Sequence, residues 1–208
     1  MWRRRTALLM GILLAAGLLS AAGSLSAAAG PPSREEVRTF PGPGSVVAGA
    51  DATLVRQPDG ISFTFDGKNL TAGNAYTIWF IAFDNPGECD FPMTGISLCG
   101  VNDLLSNPAA QPTAVWSAGH VVGKTGEATW GGRVAVGDTS GCTEGGQLAC
   151  NDGLTNPQSA EIHLVLRSHG PAIPELVNEQ IHSFNQGCYA GQPNVGQCTN
   201  VQFAAFLP

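Results

Sequence analysis

Six cysteines constrain this chain more than any other feature. They fall in three close couples, Cys89 with Cys99, Cys142 with Cys150 and Cys188 with Cys198, enclosing the segments CDFPMTGISLC, CTEGGQLAC and CYAGQPNVGQC. An even number of cysteines in an exported chain reads as a disulfide set. The closeness within each couple selects the pairings Cys89–Cys99, Cys142–Cys150 and Cys188–Cys198. In chain-entropy terms each closed loop of about ten residues is worth roughly 2.5–3 kcal/mol. No couple has the CxxC spacing of a zinc knuckle, so these sulfurs staple loops and do not ligate metal.

That reading needs an oxidising compartment, and the start of the chain provides one. Met1 to Arg5 is basic, Ala7 to Ala22 is a nearly unbroken apolar run, and Ser26 to Gly30 supplies small residues. This is the pattern of a secretory signal peptide over residues 1–29, with the mature chain starting at Gly30. The adjacent arginines also admit twin-arginine export, although Thr6-Ala7-Leu8-Leu9 matches the longer pattern poorly. No cysteine follows the apolar run, so a lipid-anchored start is not indicated, and Val201 to Pro208 is too short for an anchor. No membrane span is expected in the mature chain. Loss of residues 1–29 removes three of ten basic residues and none of sixteen acidic ones, leaving a net charge of −9. Such a surface repels phosphate backbones and anionic lipid, which excludes nucleic acid as a partner. With 43% hydrophobic residues the chain is not disordered, and its 12% charged residues are half the usual share of about 25%.

Between the staples the hydrophobic period is two. Residues 30–45, with GPPS and PGPGS, read as an extended or mobile lead ahead of a single domain over 46–208. Ile61 to Asp66 alternates apolar and polar residues, and Pro58-Asp59-Gly60 before it is a turn, so Ala52 to Gln57 is its hairpin partner. Tyr76 to Phe83 is apolar on both faces, as a strand covered on both sides would be. Thr113–Val122 and Glu127–Val136 flank Gly123-Lys124-Thr125-Gly126 as a second hairpin, with a bulge expected at Gly131-Gly132. Ala160–Arg167 and Asn200–Phe206 complete the strands. Pro174–Phe184 carries an early proline, early acids and apolar residues at helical offsets, which predicts a short amphipathic helix. The expected fold is all-β, a β-sandwich with an immunoglobulin-like strand count, one short C-terminal helix and disulfide-stapled loops; a small closed barrel is the alternative. Trp79, Trp116 and Trp130 are expected as core anchors. Asn102 to Pro108 echoes Asn151 to Pro157, each after a cysteine and each before a histidine-bearing strand.

Chemistry-bearing residues are few. All four histidines, His120, His163, His169 and His182, lie in the second half. Alternation puts Glu161, His163 and Arg167 on one face of a strand with His169 just beyond. His120, His163 and His169 with Glu161 are the candidate ligands for copper or zinc, since neutral imidazole suits both. HExxH and His-x-His are absent, and paired cysteines leave no thiolate for a blue-copper centre. Gly95-Ile96-Ser97-Leu98-Cys99 misses the GxSxG elbow at its last position. Glu175 and Glu179 fit a helix start, and Asn69-Leu70-Thr71 fits an N-glycosylation acceptor on a surface turn. A hydrolase would need a serine or carboxylate whose partners are distant in sequence.

Ala75 to Trp79, Asn85-Pro86, Ala118 to Gly123, Ala160 to Val165 and His169 to Pro174 resemble segments of uncharacterised exported bacterial all-β proteins, over most of the chain after Asp51. Leu70-Thr71-Ala72-Gly73 and Ala160-Glu161-Ile162-His163 are more distantly similar to the CHRD domain. CHRD-like segments show two histidines around an aliphatic residue, and Glu161 stands here in place of the first. That resemblance implies a β-rich extracellular module and no reaction. The sequence therefore leads to an exported, non-enzymatic binding or scaffolding protein with an extracellular ligand or protein partner and no cofactor. The alternative is a copper- or zinc-binding protein, with a redox role among its options, using His120, His163, His169 and Glu161.

Overall fold

A computed structural model describes residues 29–208 other than 43, 94, 143–147 and 149. The signal-peptide reading lies outside these residues. Eight strands form one antiparallel sheet: β1 Ser33–Thr39, β2 Val46–Gln57, β3 Gly60–Gly67, β4 Asn74–Phe83, β5 Pro112–Val121, β6 Ala128–Ala135, β7 Glu161–Pro171 and β8 Thr199–Phe206. The strand order is β5-β4-β7-β8-β1-β2-β3-β6. The two end strands approach each other, so the sheet is nearly closed and barrel-like. The expected two-sheet sandwich is not what forms.

The closure explains two further departures. β5 and β6 flank a turn closed by Gly126 N–H donating to the Gly123 carbonyl, yet they do not pair as a hairpin. β5 is laddered to β4 and β6 to β3. Nor is there a bulge at Gly131-Gly132, because β3 and β6 stay in register from Gly60↔Ala135 to Gly67↔Ala128. Gly132 is there for proximity: a Cβ would stand 2.9 Å from the Phe63 ring and 3.3 Å from the Ser117 carbonyl oxygen of β5. Ser117 is itself the extra residue where the β4–β5 register shifts. The seam thus brings a bulge in β5 against the Gly131-Gly132 pair of β6, and ladder bonds do not close it.

Residues 33–39, read as part of a lead, are instead a full strand between β8 and β2 with Val37 in the core. Alternate residues of all eight strands fill the interior, among them Leu54, Phe65, Phe80, Trp130, Leu164 and Phe206. A second core lies outside, over β4, β5, β7 and β8, where Trp79, Phe83, Val165 and Phe203 are covered by the loops between strands. Those loops carry the disulfides Cys89–Cys99 and Cys188–Cys198, with Cys142–Cys150 nearby. One loop contains the helix α1, Val101–Ser106, where the sequence showed only an echo of residues 151–157; the echoing segment is a bend and bridge.

The helix expected over Pro174–Phe184 shrinks to one turn, α2 Val177–Gln180. The fully buried Gln180 takes the Ile173 N–H on its Oε1 and donates to the Pro171 carbonyl. This polar plug folds the segment back onto β7, and Phe184 leaves helical register to meet Trp79 edge-on at 5.1 Å.

Candidate functional site

The outward face of β7 carries Glu161, His163, Val165 and Arg167. Alternation marks it as a wet face, but the stapled loops cover it, and all ten residues from Glu161 to Gly170 are buried. Polar groups placed there must be satisfied by the loops, and the loops meet each one differently.

Glu161 is completely buried. Its carboxylate accepts the backbone N–H groups of Leu98 (2.9 Å) and Cys99 (3.1 Å) and the Nε2 of His163 (2.7 Å). A carboxylate ringed by donors takes the Nε2 proton of the imidazole, so that in the neutral ring the lone pair lies on Nδ1. Nδ1 has no hydrogen-bond partner among the described residues and is not one of the sealed-off polar atoms. It opens on a groove of 390 Å³ in which His163 lies on the floor with Ile81, Phe83 and Val165. One wall is Phe91 to Met93 with α1, and the other is Phe40 to Gly42. The Phe83 ring stands edge-on to the imidazole at 5.3 Å. Phe91 and Val101 stay exposed on the rim, at 48% and 61%.

The wall is held by a second buried carboxylate, Asp103. It accepts the backbone N–H groups of Asp90, Phe91 and Gly100 and the side-chain amide of Asn107. Desolvation is the largest single influence and pushes this carboxyl up, but the four donors together outweigh it and hold it below the usual carboxylate range. Asp84 plays a similar part at the end of β4, accepting from the backbone of Thr155 and Asn156. Burial dominates there, and its carboxyl is raised despite those bonds.

Farther along β7 the chemistry is structural. Arg167 donates to the carbonyls of Phe184 and Cys198 and to the side chains of Asn200 and Asn185, with its guanidinium 4.0 Å from the centre of the Phe184 ring. No carboxylate among the described residues pairs with it, and burial lowers it to about 10. His169 has both nitrogens committed. Nδ1 donates to the Gln186 carbonyl (3.1 Å), and Nε2 accepts from Thr77 Oγ1 (3.0 Å), which in turn accepts Trp79 Nε1–H. Burial first, and the Arg167 charge besides, bring His169 down to about 4 against the opposing bond to Gln186.

The four ligand candidates are therefore split. Glu161 and His163 come together; His169 is saturated elsewhere on β7; His120 is exposed on β5 with its ring 6.2 Å from Trp130. His182, also exposed, bonds the Asn178 carbonyl and lies 4.7 Å from the Trp116 ring. Among the described residues no three His, Cys, Asp or Glu side chains gather as a metal set. Ser97 of the near-elbow is buried and donates to the Cys99 carbonyl (2.7 Å) while accepting the Met93 N–H. Asn69 is exposed in the β3–β4 turn with φ 56°.

Sequence reasoning missed the groove. Its one signal was the Phe91-Pro92-Met93 run inside a disulfide loop, apolar where a solvated loop would be polar. The fold and site together define a stapled, nearly closed antiparallel sheet with a carboxylate-oriented imidazole at the base of an apolar groove. No protein-family model, curated protein or solved structure matches the chain.

Proposed function

We propose that this is a non-enzymatic binding protein of the extracytoplasmic space that holds a small, largely apolar ligand in the groove over β4 and β7. One observation carries the reading: a buried carboxylate fixes an imidazole whose other nitrogen faces a mostly apolar groove, where Asn102 and Asn200 are the other polar side chains. Small-molecule sites have this character, mostly apolar walls with one or two placed polar atoms, over volumes of about 300–1,000 Å³. Apart from His163 the lining holds, among the described residues, no ionisable side chain and no serine, threonine or cysteine. No hydroxyl or thiol stands beside the imidazole among the described lining residues, which supports holding a ligand over transforming one. Three disulfides fit an oxidising environment, and no helix among the described residues is long and apolar enough to cross a membrane.

N-phenyl-1-naphthylamine, an uncharged apolar fluorophore, tests the reading. Its emission rises saturably with the exported protein at one-to-one stoichiometry. Val101→Asp, a change at an exposed rim position, weakens binding by about 1 kcal/mol, roughly fivefold, because a charge must be held beside apolar walls. Absence of saturable binding, or an unchanged affinity in the variant, overturns the proposal.

A further inference from the structure

Resting on that reading, the geometry points to the ligand's chemical class: we infer an uncharged hydrocarbon body bearing a hydroxyl group that donates to His163 Nδ1. Lone pairs and protons in the groove must be matched by the ligand. Glu161 has three donors and needs none from the ligand. Its demand for the Nε2 proton makes Nδ1 the acceptor of the neutral ring. A ketone, ether or ester oxygen in that position would set lone pair against lone pair and leave a buried acceptor unpaired. A carboxylate would bring a second negative charge up behind which Glu161 lies, one imidazole away. An ammonium could donate, but it would surrender its hydration among Phe83, Met93 and Val165 with no exposed carboxylate to replace it. A hydroxyl donates one proton and carries no charge. The groove's 390 Å³ is near the lower end of the small-molecule range of about 300–1,000 Å³, which suits a single chain or compact ring system and not a polymer.

Displacement of N-phenyl-1-naphthylamine by four eight-carbon competitors tests the class: 1-octanol, 1-methoxyoctane, octanoate and octylamine. Octanol displaces the dye at about one-tenth the concentration that methoxyoctane requires, the worth of one buried hydrogen bond, and both ionic competitors are weaker than octanol. In His163→Phe the octanol preference collapses to within about twofold, the acceptor having gone. If the variant fails to fold or no longer holds the dye, the wild-type ratio of octanol to methoxyoctane decides alone. A ratio near one, with the dye bound, overturns the hydroxyl inference and leaves the groove as a binding site. Octanoate or octylamine as the best competitor also overturns it. A dye that does not bind sinks the groove reading and this inference together.

Discussion

His169 sits where the end of β7 meets the loop closed by Cys188–Cys198, with Cys198 Sγ 3.5 Å from Nδ1 and its own carbonyl accepting from Asn194. Its bonds suit the neutral ring. Protonation in place would force a donor against the Thr77 hydroxyl, already turned toward Nε2, beside the Arg167 charge. A histidine lowered to about 4 from an unfolded value of about 6.5 binds protons more readily when the chain is unfolded. Its contribution is complete above pH 6.5, declines as pH falls, and levels off below the folded value. Urea unfolding at pH 7.5 and 5.0 should show a loss of about 2 kcal/mol from this group. His169→Gln, neutral throughout, should lack that part of the loss; an identical pH response in the two proteins would refute the assignment. Little of this was legible in the sequence. Period-two alternation correctly separated Ile162, Leu164 and Leu166 from Glu161, His163 and Arg167. It could not show that the second set is buried too, because what covers it lies some twenty to seventy residues away, in irregular loops without a period.

The loops stabilise these side chains only while they are themselves held. In the first, Cys89–Cys99 closes the segment, Asp103 gathers three backbone N–H groups, and Leu98 and Cys99 present theirs to Glu161. Phe91 and Met93 are thereby fixed as a groove wall. Replacing both cysteines by alanine should cost roughly 3 kcal/mol through loop-closure entropy, and should weaken binding of the fluorophore while leaving the far-ultraviolet β signal intact. Unchanged dye affinity in a folded double variant would show that the staple does not shape the groove. At this scale the sequence spoke clearly wherever the chain obeys a local rule. Cysteine closeness gave the pairings, and alternation located most of the strands. It misled where tertiary context decides: a good turn at Gly123 to Gly126 does not produce a hairpin when each flanking strand has a better partner, and helical offsets in 174–184 yield to the polar plug of Gln180.

Across the whole molecule, one sheet does two jobs. Curled on itself, it buries one face as a continuous core. Its outer face along β4, β5, β7 and β8 is left for loops too irregular to form a second sheet, and the three disulfides restrain them. Strand count alone suggested two packed layers, since seven or eight strands serve a sandwich and a barrel equally well, and only the order of pairing separates them. The Glu161–His163 groove exists because the covering layer stops short between Phe40 to Gly42 on one side and Phe91 to Leu104 on the other. Other depressions are present, including one beside Trp116 and His182 and one beneath the β3–β4 turn, so where a ligand settles decides which is the site. Backbone amide shifts recorded by NMR across the protein during titration with N-phenyl-1-naphthylamine locate it directly. The largest changes are predicted at residues 91–93, 100–104 and 163–165; a map centred on Trp116 and His182, or on the turn at Asn69 to Thr71, would contradict the assignment of the site.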